Sequence, residues 1–364
     1  MSTQRRIYLD YNATSPLVPA ARTAVTEAMS GLGNPSSIHE EGRRMRSRIS
    51  TARGQVAGLA GRPREQIIFT SGGTEANQLG VLGLARLAES RGRPRVIATT
   101  EIEHPSLRGV VEALRTQGWI VTTLADPQLL GVAAFAAVNH ELGTLEPHAF
   151  SPALRERGTL VHVDAVQATT KLALSTIHAD AIAISAHKLG GPQGVGALIV
   201  DERGDTALPL VEAGHQERGR RPGTENTLGI IGFGAAAATV DLARWPAIAE
   251  LGAVLEHGIL AIPGSRIHGV DRERTGGTVN AGFEGALGES IVIALDLAGI
   301  STSTGAACTS GSIEPSPVLL GLGLPPDRAR EAVRFSLGRE TTREEIDAVL
   351  SALPHIVERA RQHR

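Results

Sequence analysis

Seven short apolar segments alternate with helical ones between about residues 65 and 200, and this alternation constrains the fold more than any other feature. The β-type segments are almost continuously apolar, which is typical of strands that helices cover on both faces. They are Gln66–Thr70, Arg95–Thr99, Ile120–Leu124, Ala133–Val138, Leu160–Val163, Ala181–Ser185 and Gly196–Val200. The sequence therefore predicts an α/β fold, with a large domain built on a mostly parallel seven-stranded sheet.

A second, smaller α/β domain is predicted after a break at Trp245-Pro246. A helical stretch runs there from about Leu228, and proline inside such a pattern usually ends or kinks a helix. Strand and helix patterns then alternate again, over Thr278–Phe283, Leu287–Leu297, Ala332–Ser336 and Arg343–Arg361. We place the large domain at residues 15–246 and the small domain at residues 1–14 together with 247–364.

Composition excludes several classes of function. The 364 residues carry a net charge of −2, with 41% apolar and 20% charged residues, as in soluble globular proteins. This charge balance gives no electrostatic reason to expect a nucleic-acid or membrane partner. No apolar run reaches the roughly 18 residues of a membrane span, and no apolar block follows the first residues. We therefore expect a cytoplasmic protein.

Lysine and cysteine are both scarce. Lys171 and Lys188 are the only two lysines among 36 basic residues, so a retained lysine is expected to act as an amine. Arginine cannot replace it in that role because its guanidinium does not deprotonate. Cys308 is the single cysteine, which excludes an intrachain disulfide and leaves either a small core residue or a reactive thiol.

The run Thr70-Ser71-Gly72-Gly73-Thr74-Glu75 connects a predicted strand to a predicted helix. Small residues let backbone N–H groups approach an anion, and the helix N-terminus adds its dipole, so a phosphate is the natural ligand. A tight turn with a threonine cap is the alternative interpretation. The run is neither a Walker loop nor a dinucleotide-binding motif.

Two further polar groups are predicted at the carboxyl ends of strands, where α/β sheets bind ligands. Asp164 could pair with a protonated ring nitrogen, although its strand neighbour His162 makes a metal site conceivable. Lys188 lies between an apolar strand and glycines, which would desolvate its amine and lower its pKa. A surface lysine on a Gly-Pro turn is the alternative.

Three more residues are candidates for chemistry. His104 follows a strand and could stack on a flat ring, although a satisfied loop histidine is the commoner case. Cys308 lies in a run of small residues, 303–312, that suits an exposed thiol better than a buried one. Arg334 interrupts an apolar strand and either pairs internally or offers its planar fork to a substrate carboxylate.

Together these runs resemble the pyridoxal-phosphate-dependent class-V aminotransferase family, specifically the cysteine desulfurases of the NifS and IscS type. The resemblance covers nearly the whole chain, through Tyr8–Thr14, Gly33–His39, Val138–Gly143, His187-Lys188, Arg218–Asn226, Ala307–Ser310, Glu314–Ser316 and Arg334–Gly338. It implies a transferase of fold type I that forms a homodimer, with active sites at the subunit interface. Three residues depart from the expected pattern, namely Ala186, His140 and His215.

The resemblance also implies a role for each site residue. Lys188 would bind pyridoxal 5'-phosphate covalently and act as acid and base, with Cys308 as the sulfur nucleophile and His104 stacked on the cofactor ring. Asp164 would contact the ring nitrogen and Gln167 the ring hydroxyl. The phosphate would be held by Gly73, Thr74, Ser185 and His187, and by Thr224 of a neighbouring subunit. The substrate would be bound by Asn34, Asn139 and Arg334; no metal is implied.

The implied reaction takes L-cysteine to L-alanine and leaves a persulfide on Cys308, which then passes sulfur to an acceptor protein. A transaminase would need Lys188 but not Cys308, whereas a selenocysteine lyase is harder to exclude. An inactive scaffold homologue is disfavoured because Lys188, Asp164 and Cys308 are all present. The resemblance does not choose among iron–sulfur cluster assembly, nitrogenase maturation, tRNA thiolation and thio-cofactor synthesis as the destination of the sulfur.

Overall fold

A computed structural model describes residues 6–31, 33–126, 129–204, 214–304 and 314–362. The chain divides into two compact units. The large unit comprises Pro16–Ala137 and Glu146–Leu242, and the small unit comprises Met1–Ser15, Val138–Leu145 and Ala243–Arg364. The predicted domain bounds at residues 15–246, and at 1–14 with 247–364, stay a prediction.

The described elements are as follows, in chain order. The strands are β1 (Ile7–Tyr8), β2 (Ile67–Thr70), β3 (Val96–Thr99), β4 (Ile120–Thr123), β5 (Val132–Ala136), β6 (Leu160–Asp164), β7 (Ala181–Ser185), β8 (Gly196–Val200), β9 (Ser265–Ile267), β10 (Thr278–Phe283), β11 (Ile300–Ser301) and β12 (Ala332–Ser336). The α-helices are α1 (Pro19–Met29), α2 (Glu40–Ala60), α3 (Gly73–Ser90), α4 (Pro105–Thr116), α5 (Ala153–Glu156), α6 (Thr227–Ala237), α7 (Trp245–Leu260), α8 (Gly288–Leu297), α9 (Pro317–Gly321), α10 (Pro326–Ala329) and α11 (Arg343–Gln362).

The sheet of the large unit has the order β2-β8-β7-β6-β5-β3-β4. Only β8 runs antiparallel to its neighbours, β2 and β7, while β3 to β7 pair in parallel. The predicted mostly parallel seven-stranded sheet is thus confirmed, each predicted strand shifting by no more than two residues at an end. Because the sheet is parallel apart from β8, the carboxyl ends of β2, β3, β6 and β7 lie along one edge.

The core on one side of this sheet follows from the apolar periodicity of its helices. In α4 the buried residues are Leu107, Val110, Val111 and Leu114, which recur at the helical spacing of one face. They join the apolar side chains of α3 and of the strands in a single buried cluster. Removing each such side chain from water contributes roughly 1.5–3 kcal/mol, which fixes both helices against the sheet.

Helix α6 packs unusually close to its neighbours because it carries glycines on buried positions. A Cβ added at Gly232 would lie 2.5 Å from Cγ of Pro192 and 2.7 Å from Cγ2 of Val25 in α1. A Cβ added at Gly234 would lie 2.5 Å from Cα of Ala52 in α2. Glycine is therefore required sterically at both positions.

The small unit contains a three-stranded antiparallel sheet of order β12-β10-β9 and a parallel pair, β1 and β11. One face of β10 and β12 carries Val279, Phe283 and Phe335, which belong to a buried apolar cluster with side chains of α7, α8 and α11. The other face is polar, and the register places Asn280 opposite Arg334. The predicted strands and helices of this unit are all present.

No single helix of the described ranges is long and apolar enough to cross a membrane. One bent pair of helical segments, Thr227–Ala237 and Leu242–Leu260, reaches the length and apolar composition of a membrane span only when the two segments are taken together.

Candidate active site

The carboxyl edge of the large sheet gathers most of the predicted site residues. Gly73 and Thr74 begin α3 directly after β2, and His104 precedes α4 after β3. Asp164 ends β6, whereas Ser185 ends β7. His187 and Lys188 follow in a 3₁₀ turn at Ala186–Lys188, and both are half-buried. Strand polarity alone thus brings these segments to one edge.

The start of α3 forms a narrow cradle. A Cβ added at Gly73 would lie 2.7 Å from Cγ2 of Val166 and 3.6 Å from Cβ of Ser185, so a side chain at this position would collide with Val166. Glu75 in the first turn of the helix accepts two hydrogen bonds from Arg221, at 2.8 and 3.3 Å. The sequence analysis did not identify this ion pair.

Thr224 lines a cavity of about 190 Å³ with Thr70, Ser71 and Arg221 of the same chain. It therefore lies near the strand-to-helix turn of its own large unit. The cofactor role assigned to Thr224 across a subunit interface stays a prediction.

Asp164 is a buried carboxylate whose two oxygens each accept a protein hydrogen bond. The backbone N–H of Val166 donates to Oδ1 at 2.9 Å, and Nδ2 of Asn77 donates to Oδ2 at 2.7 Å. These donors fix the orientation of the side chain at the end of β6. Gln167, three residues later, is also buried, and its Oε1 accepts a hydrogen bond from Nζ of Lys171 at 3.2 Å.

Lys188 acts electrostatically on two histidines. Burial, followed by the charge of Lys188, lowers the pKa of His187 to about 4. The pKa of His104 is lowered mainly by burial and further by Lys188, while Asp164 opposes the shift. His104, Asp164 and Lys188 therefore lie within electrostatic range of one another, and both histidines are neutral at physiological pH.

These residues fit pyridoxal phosphate. The glycine-lined helix start suits a phosphate, the oriented Asp164 suits a protonated ring nitrogen, and Lys188 supplies an amine at the same edge.

Asn34 is different, because its side chain is exposed and its Oδ1 accepts the backbone N–H of Ser36 at 2.9 Å. The substrate role of Asn34 stays a prediction.

In the small unit, Asn139 and Arg334 both form hydrogen bonds with the backbone of residues 140–142. Oδ1 of Asn139 accepts the N–H groups of Glu141 and Leu142 at 2.9 and 3.0 Å. Nη1 of Arg334 donates to the carbonyl oxygen of His140 at 3.2 Å, and Nη2 donates to Oδ1 of Asp10 at 2.7 Å. Of the two alternatives predicted for Arg334, internal pairing or binding of a substrate carboxylate, the internal ion pair is thus present. Nε of Arg334 is buried and has no hydrogen-bond partner among the described residues.

Cys308 falls outside the described residues. The described ranges contain no group of three or more histidine, cysteine, aspartate or glutamate side chains arranged to hold a metal ion. His162, considered above as a metal ligand, contacts Oδ1 of Asn77 through Nε2 at 2.8 Å.

Three polar residues were missed by the sequence analysis: the buried Asn77 and Glu103, and the half-buried Ser106. Asn77 lies on the buried face of α3 with Ala76 and Gly80, and an asparagine on an otherwise apolar stripe was the available signal. Glu103 was not selected from the sequence because its neighbour His104 is a commoner catalytic residue. It accepts hydrogen bonds from Oγ1 of Thr100 at 2.5 Å and from the N–H of Ala136 at 2.9 Å.

Glu103 makes stability depend on pH. Burial, reinforced by the nearby charge of Asp164, raises its pKa to about 8 from a reference of 4.5, despite its two hydrogen bonds. Because its pKa is raised in the folded state, Glu103 makes its full contribution to the free energy of unfolding below pH 4.5. This contribution is lost as the pH rises towards 8. We expect Glu103→Gln to become more stable relative to wild type between pH 5 and 8, by about 1.4 kcal/mol per pH unit.

Urea denaturation of both proteins across this pH range measures that difference, and other titrating groups cancel in the comparison. Glutamine retains an acceptor for Ala136 and gains a donor for Thr100. A difference in unfolding free energy that stays constant with pH would show that Glu103 is ionised in the folded protein.

Comparisons with known proteins show the family and the fold of the chain. A model of the class-V aminotransferase family matches residues 7–349. A cysteine desulfurase of Trichormus azollae is 41% identical, over 98% of this chain and 94% of its own. A solved NifS-like protein is 28% identical with a TM-score of 0.85, covering 97% of this chain and 99% of its own.

A solved structure described as SspA in complex with cysteine is 28% identical with a TM-score of 0.77, covering 91% of this chain and 98% of its own. The similarity spans both units, and the family match extends over most of the sequence. The chain belongs to the class-V aminotransferase family.

Proposed function

We propose that this protein is a pyridoxal-phosphate-dependent cysteine desulfurase. The observation that carries the proposal is the convergence of Lys188, Asp164 and His104 at one edge of the large sheet. The similarity to cysteine desulfurases over nearly the full length of the chain supports the same reaction class.

When bound, the cofactor supplies an electron sink for bonds at the substrate Cα. Its phosphate would be held by Gly73, Thr74, Ser185 and His187, with Thr224. Asp164, Gln167 and His104 would hold the ring, Lys188 would carry protons at the substrate carbons, and Asn34, Asn139 and Arg334 would bind the substrate. His187 would approach the phosphate as a hydrogen-bond donor through a ring N–H.

The sulfur step is balanced without an external oxidant. The carbon–sulfur bond of L-cysteine breaks, a sulfur–sulfur bond forms at Cys308, and the two starting thiols yield one persulfide and L-alanine. Holding both sulfur atoms on one protein makes the step effectively intramolecular. The persulfide then passes sulfur to an acceptor protein, for iron–sulfur cluster or thio-cofactor synthesis. We further propose that the protein is a cytoplasmic homodimer.

The single cysteine makes the decisive experiment simple. Wild type incubated with L-cysteine should gain the mass of one sulfur atom, and the gain should map to the peptide containing Cys308. Cys308→Ala should keep the visible absorbance of the bound cofactor but lose alanine and sulfide formation by at least roughly 10²-fold.

Ser312→Ala, in the same run of small residues, is the matched control and should behave as wild type. If Cys308→Ala turns over L-cysteine at the wild-type rate, Cys308 is not the nucleophile. The lyase or transaminase alternative would then replace the desulfurase.

A further inference from the structure

A continuous path of hydrogen bonds joins two histidines of the large unit through α3. His162 contacts Asn77, which contacts both Asp164 and Ser106, and Ser106 contacts His104. Asn77 is 1% exposed and His162 is fully buried, so water does not compete for the bonds that Asn77 forms with His162 and Asp164. The direction of each bond then follows from which atoms can donate.

The carboxylate fixes the orientation of the amide. Oδ2 of Asp164 can only accept, so the Asn77 atom at 2.7 Å from it is the amide nitrogen. The amide oxygen of Asn77 consequently faces Nε2 of His162 at 2.8 Å, and that nitrogen must carry a proton. Burial lowers the pKa of His162 to about 3, so the ring is neutral and holds this one proton.

The second amide proton of Asn77 fixes the hydroxyl of Ser106. Nδ2 of Asn77 donates to Oγ of Ser106 at 2.9 Å, which directs the hydroxyl proton elsewhere. Nδ1 of His104 lies 2.8 Å from the same oxygen and also accepts the backbone N–H of Ser106 at 3.1 Å. Two donors therefore point at Nδ1 of His104, which leaves no room for a proton on that atom.

We propose that Asn77 is a positioning residue that fixes His104 as the neutral tautomer with its proton on Nε2, and that orients Asp164 with the same amide group. In this state Nδ1 of His104 is unavailable as a base, and the ring offers a single N–H donor. A neutral ring also packs on a protonated pyridine without charge repulsion, a consequence that rests on the proposed function. The charged groups acting on His104 are Asp164 and Lys188.

Nitrogen NMR of the full-length holoenzyme labelled with ¹⁵N in its histidine rings tests this assignment directly. The His104→Gln variant identifies the signals of His104. We expect wild type to show an unprotonated Nδ1 and a protonated Nε2 at neutral pH, both with the cofactor bound and after its removal.

Asn77→Leu has a similarly branched side chain but no hydrogen-bonding group, so Ser106 loses the donor that directs its hydroxyl proton away. The Ser106 hydroxyl can then accept a proton from Nδ1 of His104, and we expect the titration midpoint of His104 to rise by about one pH unit. Gln78→Leu makes a similar change on the exposed face of α3 and should leave the His104 signals unchanged. Ser106→Ala should raise the midpoint less, because it leaves no hydroxyl to accept the Nδ1 proton.

A proton on Nδ1 of His104 in wild type would overturn the proposal. So would equal titration midpoints in Asn77→Leu and Gln78→Leu. If Asn77→Leu does not fold, Ser106→Ala provides the same comparison, and a midpoint equal to that of wild type counts against the proposal. Failure of the proposed desulfurase function gives a different result. Wild type would then show the expected tautomer of His104 but release no sulfide from L-cysteine.

Discussion

Lys188→Ala is expected to lower the rate of alanine formation from L-cysteine by roughly 10⁴-fold, because one side chain supplies both the covalent attachment and the proton transfers. Lys188 is half-buried at the end of β7, and its charge reaches both His104 and His187. No other lysine replaces it, since Nζ of Lys171 donates to Oε1 of Gln167. Steady-state alanine release measures the loss.

One further variant and an amine-rescue experiment distinguish the loss of the Lys188 amine from a loss of folding. Lys188→Arg keeps a positive charge but not a titratable amine, so it should be as inactive as Lys188→Ala. A small primary amine such as methylamine should restore part of the activity of Lys188→Ala and none of that of Lys188→Arg. If Lys188→Arg retains wild-type activity, Lys188 serves only as a cation.

Glu217→Ala is expected to destabilise the large unit by about 3–5 kcal/mol, because it leaves the largely buried cation of Arg53 without its carboxylate partner. Both carboxylate oxygens of Glu217 accept from Arg53, at 2.6 and 2.7 Å, and Oε2 also accepts the N–H of Phe69 at 3.0 Å. The Glu217 side chain is 3% exposed, and the guanidinium of Arg53 lies 4.7 Å from the ring centroid of Phe69. Urea denaturation of the holoenzyme at saturating cofactor measures the change.

Glu112→Ala provides a matched control, since Glu112 forms an equally short bidentate pair with Arg115 on an exposed turn of α4. Solvent screens that pair, so its removal should leave the urea midpoint unchanged. Glu217→Gln should fall between Glu217→Ala and wild type, because one acceptor oxygen remains. Equal midpoints for Glu217→Ala and Glu112→Ala would show that burial gives the Arg53 pair no special role.

The sheet was largely predictable from sequence because every strand except the mostly exposed edge strand β4 is almost entirely buried and therefore forms a short apolar run. The positions of Asp164 and Lys188 followed from the same pattern, since the carboxyl ends of parallel strands share one edge. Asn77 and Glu217 were not predictable in this way. Their partners lie 87 and 164 residues away in sequence, and no local periodicity encodes such a pairing.

The ion pair between Arg334 and Asp10 was recognisable only as one of two alternatives. An arginine in an apolar strand must be paired or bound, but the strand pattern does not indicate its partner. That partner lies 324 residues earlier, next to β1.

The close packing at Gly232 has a consequence for reading genetic data on this family. Any side chain there collides with Pro192, in the segment that follows Lys188, although Gly232 contains no reactive group. Variant libraries scored by growth or by enzyme activity would therefore group Gly232 with the residues that handle the substrate. Measuring the amount of folded protein and its cofactor occupancy as well would distinguish displacement of the segment after Lys188 from the loss of a residue that handles the substrate.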